Sequence, residues 1–248
     1  MKITSVNNEI VKSTAKLLQT RYRNETGLFL IEGLKGVQEA KQAGVKLERI
    51  FVLEGISDTF DEDVIETTES VMSKISDAKT PPKVVAVAHK QLFSTEDFAR
   101  KSKVVLLEGI KDAGNLGTII RSAAAFGIDG LVMYGNTVDL YNPKCVRSAV
   151  GNLWKVPIVE ISDFKLLKKI FSEHERIATL PASKDTVLLK DYNFNKKVLL
   201  MFGSEAEGLS EELKTFATNN LTIEMNSDVE SLNLSVSAAL VMYKTMFI

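Results

Sequence analysis

Three segments of this 248-residue chain hold polar side chains spaced for chemistry. The first, DAGNLGTIIRSAAAFG at 112–127, sets Asn115 and Arg121 behind a turn that Gly114 and Gly117 would permit. Asn115 suits a helix start, which puts Arg121 about two turns further on, among Ile119, Ile120, Ala123 and Ala124. An arginine in an apolar face calls for an anionic partner or a cleft; the plainer alternative is a surface salt bridge. The second segment, FGSEAEGLS at 202–210, places Glu205 and Glu207 between Gly203 and Gly208, directly after the apolar run KVLLM. Glu207 and Ser210 fit the capping of a following helix, whereas Glu205, nearer the strand end, is the better site candidate. In the third, IEMNSDVESLNLSVSAALVMYK at 223–244, Ser231 and Asn233 precede a very apolar helix. They either cap that helix or contribute hydrogen-bonding groups to a site.

All three segments follow expected strands, at the carboxyl ends where ligands bind in open α/β sheets. Apolar runs of strand and helix length alternate along the chain, which predicts an α/β fold. Helices are expected at 9–21, 35–43, 70–76, 115–126 and 231–247. Strands are expected at 28–31, 49–53, 83–88, 104–107, 130–134, 156–159, 176–180, 198–202 and 220–223. The later strands are continuous rather than alternating in hydrophobicity, as in a mostly parallel sheet covered on both faces. A polar connection at 89–103 suggests two domains, 1–97 and 98–248.

Composition narrows the function. At 45% hydrophobic and 25% charged the chain reads as globular, and a net charge of −1 argues against a general polycation. A local basic arm remains at the N-terminus, where Lys12, Arg21 and Arg23 are candidate phosphate contacts; a solvated helix face explains the same pattern. One cysteine, Cys145, and two histidines, His89 and His174, leave little material for a zinc site, so no metal is expected. The single cysteine, the lack of an apolar leader and a C-terminal stretch too polar to span a bilayer favour a cytoplasmic location without membrane association. The first segment is no dinucleotide fingerprint, since position 112 is Asp. No Walker-type phosphate loop and no Gly-x-Ser-x-Gly elbow occur.

Taken in order, D-x-G-N-x-G-x-I-x-R-S-A, G-x-E-x-x-G and I-x-M…S-L-N-L-S resemble the SpoU/TrmH methyltransferases of the SPOUT class, from about Val104 to the C-terminus. FLIEGLKGVQEA at 29–40 resembles, more loosely, the ribosomal-protein-like substrate-binding domain of ribosomal-RNA members. The resemblance implies a C-terminal trefoil-knotted, mostly parallel α/β domain behind a small α/β RNA-binding domain, a homodimer, and S-adenosylmethionine as cofactor. It implies methyl transfer to a ribose 2′-hydroxyl, with ribosomal RNA preferred over tRNA. The polar catalytic set it implies is Asn115, Arg121, Glu205, Ser231 and Asn233. Cofactor contacts fall on Gly203, Ile223 and Leu232, together with Thr179 and Leu180 on the preceding strand. The chain departs from the usual pattern at Ala113 and Glu224, where Pro is common, and in the order of Ser148 and Ala149.

Arginine is a poor base, with a pKa above about 12. The expected role of Arg121 is therefore to position the nucleotide through its guanidinium fork, oriented by Glu205, while Asn115, Ser231 and Asn233 set hydroxyl and loop geometry. Two rival readings are a base-methylating SPOUT enzyme and a catalytically silent RNA-binding protein.

Overall fold

The computed structural model describes residues 1–56 and 64–247; the acidic stretch at 57–66 therefore lies outside the described residues up to position 63. The chain forms two compact units, one of Met1–Gln91 with Asp139–Trp154 and one of Leu92–Val138 with Lys155–Ile248. A single cut at 97/98 omits the return of 139–154 to the first unit.

In the first unit the order is β1 (Lys2–Ile3), α1 (Glu9–Lys16), α2 (Thr20–Thr26), β2 (Leu28–Glu32), α3 (Leu34–Gln42), β3 (Leu47–Leu53), β4 (Ile65–Thr67), α4 (Glu69–Lys74) and β5 (Val84–His89). The strands form a mixed sheet ordered β1-β4-β3-β5-β2. Leu30, Phe51, Val85 and Val87 of this sheet pack with Val11, Leu17, Val71 and Met72. The helix expected at 9–21 is two helices. Arg23 explains the break: it is fully buried, and its Nη1 donates to the Leu17 carbonyl at 2.7 Å, which ends α1. Its Nη2 donates to Thr20 Oγ1, and its guanidinium pairs with Asp139 at 2.7 Å. Asp139–Trp154 is held further by the Phe29 ring, whose centroid lies 4.5 Å from Tyr141 and 5.7 Å from Trp154.

The second unit continues with β6 (Lys103–Glu108), α5 (Ala113–Ala125) and β7 (Gly130–Tyr134); α6 (Pro143–Ala149) belongs to the first unit. After it come β8 (Ile158–Ile161), α7 (Phe164–Ile170), β9 (Glu175–Thr179), β10 (Val187–Leu188), β11 (Val198–Phe202), α8 (Glu211–Phe216), β12 (Asn219–Thr222) and α9 (Leu234–Lys244). The seven strands β10-β12-β9-β11-β6-β7-β8 all pair in parallel. β7 and β11 are buried along their whole lengths, which is why their sequences show no alternation. Val104, Leu106, Val132, Leu199 and Met201 form the centre of this core with Phe98, Leu167 and Phe171. Among the described residues no helix is long and apolar enough to cross a membrane.

Two helix starts differ from expectation. Asp112, not Asn115, caps α5, its carboxylate accepting from the Asn115 backbone N–H at 2.8 Å. Ala113 thus occupies the first helical position, where proline is also well tolerated, so this departure from the family pattern leaves the turn intact. The last helix starts at Leu234 instead of 231, capped by Asn233.

Candidate active site

Three adjacent parallel strands deliver one group of residues to the same edge of the second unit's sheet. Ala178 of β9 lies opposite Met201 of β11, and Thr179 lies opposite Leu221 of β12. Thr179, Leu180, Gly203 and Ile223 therefore leave the sheet together, and the Leu180 N–H donates to the Leu221 carbonyl at 2.9 Å. Thr179 Oγ1 is buried and has no hydrogen-bond partner among the described residues. Gly203 has a steric cause. A Cβ there would come 2.0 Å from the Gly208 carbonyl carbon, because the loop folds back until the Gly208 N–H reaches the Ser204 carbonyl at 2.9 Å.

That loop is anchored at its far end. The Ser210 N–H donates to Glu108 at the end of β6 (2.7 Å), and Ser210 Oγ accepts from the Leu213 N–H to cap α8. Tyr134, at the end of β7, donates its hydroxyl to Glu212 at 2.8 Å. Burial, reinforced by that carboxylate, pushes the Tyr134 pKa up to about 12, so the phenol stays a donor at neutral pH. Glu205, ahead of these anchors in the same loop, is exposed and accepts a hydrogen bond from Asn115.

Three polar residues from the three sequence segments meet in one hydrogen-bonded line. The Asn115 side-chain amide N–H donates to Glu205 Oε1, and its carbonyl accepts from Asn233 Nδ2 at 3.1 Å. Asn233 Oδ1 in turn accepts from the Ser235 N–H at 2.9 Å and the Ser235 hydroxyl at 2.6 Å. A carboxylate accepts only, so each amide in the line has one orientation that satisfies its neighbours. Ser235 was not among the expected site residues; its signal was the Asn-x-Ser spacing at the start of α9, which suits a cap.

Arg121 and Ser231 stand outside this line. Arg121 does not lie in the apolar face of α5: Leu116, Ile119, Ile120 and Ala123 are buried, while Arg121 is exposed along with Thr118 and Ala125. It has no ion-pair partner among the described residues, and Glu205 bonds Asn115 instead of orienting Arg121. Among the described residues the surface salt bridge is likewise not formed. Ser231 is exposed, and Leu232 is half-buried beside the Asn233 cap. Glu224, the second departure from the family pattern, pairs with Lys190 at 2.6 Å and raises that lysine's pKa.

The basic arm divides. Lys12 and Arg21 are exposed, each paired within its own helix, with Glu9 and Glu25. Arg23 is committed to the interior of the first unit and is removed from the candidate RNA contacts. Among the described residues no group of three or more His, Cys, Asp or Glu side chains is placed to hold a metal ion.

Comparison with known proteins gives consistent matches. A family model described as the SpoU rRNA methylase family matches residues 102–243, and one described as an MRM3-like substrate-binding domain matches residues 8–86. The chain is 30% identical to the 23S rRNA (guanosine(2553)-2′-O)-methyltransferase RlmP of Bacillus subtilis, covering 98% of both chains. It is 27% identical to the 23S rRNA (uridine(2479)-2′-O)-methyltransferase of Streptomyces viridochromogenes, over 99% of this chain and 91% of that one. The crystal structure of an AdoMet-bound rRNA methyltransferase from Sinorhizobium meliloti superposes with a TM-score of 0.88 at 28% identity, covering 98% of this chain and 96% of that one.

Proposed function

Because the chain belongs to the SpoU rRNA methylase family, we propose that it transfers a methyl group from S-adenosylmethionine to a ribose 2′-hydroxyl of ribosomal RNA. The observation that carries this reading is the hydrogen-bonded line Glu205–Asn115–Asn233, which joins all three sequence segments at the carboxyl end of a parallel sheet. Ribose as the acceptor is supported by the relatives, which modify guanosine in one case and uridine in the other but share the 2′-O position. A 2′-hydroxyl is also what distinguishes RNA from DNA.

The residues at the strand ends fit the cofactor. Thr179 Oγ1 offers a buried polar atom in need of a partner, and Leu180, Ile223 and Leu232 offer apolar surface beside the backbone of Gly203. The cofactor, when bound, supplies an electrophilic methyl group on a positively charged sulfur. The apolar residues exclude water there, which suits a reaction that cancels charge. Asn115, fixed between Glu205 and Asn233, holds the two loops in register, and Ser231 offers a hydroxyl for the acceptor ribose. Arg121, exposed with its fork unspent, positions the nucleotide through phosphate or base contacts. Lys12 and Arg21 contribute phosphate contacts from the first unit. We assign the protein to the cytoplasm and to a homodimer formed through α9.

Incubation of the full-length protein with methyl-labelled S-adenosylmethionine and ribosomal RNA, followed by digestion to nucleosides, tests the proposal. Label should appear in a 2′-O-methylnucleoside; label on a base, or none, would refute it.

A further inference from the structure

The loop at 203–210 is stiff within itself. The Gly208 N–H donates to the Ser204 carbonyl at 2.9 Å, and the Glu207 N–H donates to the Ser204 hydroxyl at 3.2 Å. Its two ends close without slack, since a Cβ on Gly203 would overlap the backbone of Gly208 and Leu209. The position of such a loop depends on what holds it from outside. It is tied outward at Glu205, which accepts from the Asn115 amide, and at Ser210, whose N–H donates to Glu108 Oε2 at 2.7 Å. Strand register explains the second tie. Phe202 of β11 pairs with Leu107 of β6, which sets Glu108 level with Gly203, at the root of the loop. Glu108 is also where β6 leaves the core, half-buried after the fully buried run Val104–Leu107. A Cβ on the next residue, Gly109, would lie 3.9 Å from Ser204 Cβ, so the end of β6 borders the near end of the loop as well.

We infer that Glu108 is a positioning residue for methyl transfer: by holding Ser210 it sets where Glu205 stands, and through Glu205 it sets the amide of Asn115. The assignment rests on the methyltransferase reading. A hydrogen bond from a backbone N–H to a carboxylate is of the stronger, charge-assisted kind, and here it fixes main chain. Helix α8 has an anchor of its own, because the Tyr134 hydroxyl donates to Glu212 at 2.8 Å. Loss of the Glu108 contact therefore frees the loop while the helix stays in place. What the contact requires is an acceptor at that reach, and substitutions at Glu108 separate reach from charge. Gln presents the acceptor without the charge, Asp keeps the charge one methylene short, and Leu fills the space with neither.

Single-turnover methyl transfer by the full-length protein, at saturating ribosomal RNA and S-adenosylmethionine, tests the inference. Glu108→Leu should lower the rate roughly tenfold or more, Glu108→Asp nearly as much, and Glu108→Gln by less than about threefold. Because Glu108 acts through Glu205, the losses should not add. Glu108→Leu combined with Glu205→Gln should be no slower than the slower single variant. The Asn115 side-chain amide gives a readout free of activity. Its proton signals, identified by their absence in Asn115→Asp, should move toward the free-amide position in Glu108→Leu and stay put in Glu108→Gln. Additive losses, a Gln variant as slow as the Leu variant, or an unmoved Asn115 signal in Glu108→Leu would overturn the inference. Should Glu108→Leu fail to fold, Glu108→Asp carries the same comparisons. If the wild type transfers no methyl group, the enzymatic reading falls by itself, and the Asn115 signal still decides whether Glu108 places the loop.

Discussion

Asn115 is fixed from both sides, by a carboxylate on its nitrogen and an amide on its oxygen, so the isosteric change Asn115→Asp would set two carboxylates face to face. Methyl transfer should fall about a hundredfold, the scale of a 1 Å misplacement of reacting groups. Arg121→Lys tests a different role. It keeps the charge but loses the planar fork, and should also lower the single-turnover rate by tenfold or more, roughly, with cofactor affinity unchanged. Near-wild-type rates displaced along the pH axis would make Arg121 the proton acceptor instead. His174 bears on stability. Its Nε2–H donates to the Lys101 carbonyl at 2.8 Å, its ring packs edge-on against Phe171, and burial lowers its pKa. Above the ordinary histidine value near 6.5 both folded and unfolded forms are neutral; below it the unfolded chain takes up the proton more readily. Urea midpoints should therefore drop as pH falls from 7.5 to about 5.5, and His174→Gln should flatten that dependence. An unchanged slope in the variant would assign the acid sensitivity elsewhere.

The elements were legible where hydrophobic runs are long and uniform. Strands β6, β7 and β11 matched the expected spans to within a residue because burial on both faces leaves no competing pattern. Helix boundaries set by side-chain bonds were not legible. The split between α1 and α2 depends on Arg23 reaching Leu17 and on Asp139 more than a hundred residues away, and no local pattern records that. Helix α9 carries a further consequence. Val236, Leu240 and Tyr243 are exposed on it, with Phe247 just beyond, at spacings of four, three and four residues. Such a stripe suits a helix that packs on a second copy. Light scattering should give twice the chain mass for the wild type and the single mass for Leu240→Asp. A wild type that is monomeric at micromolar concentration would contradict the dimer.

At the scale of the whole molecule, the order of three motifs along the chain was enough to name the family, because the parallel sheet turns sequence order into proximity at its carboxyl edge. Asn115, Glu205 and Asn233 are brought into one hydrogen-bonded line that way. The faces of helices and the return of Asp139–Trp154 to the first unit depend on tertiary packing, which is why Arg121 and Arg23 were misplaced. If the acceptor is a ribose hydroxyl, methylation blocks alkaline hydrolysis at that nucleotide, because cleavage requires a free 2′-hydroxyl and is indifferent to most base methylation. Ribosomal RNA from cells lacking the protein should be cleaved at one position that is protected in RNA from cells carrying it, and that is cleaved again when Asn115→Asp replaces the wild type. Identical ladders from all three, with a methyl group recovered on a base, would contradict a ribose acceptor.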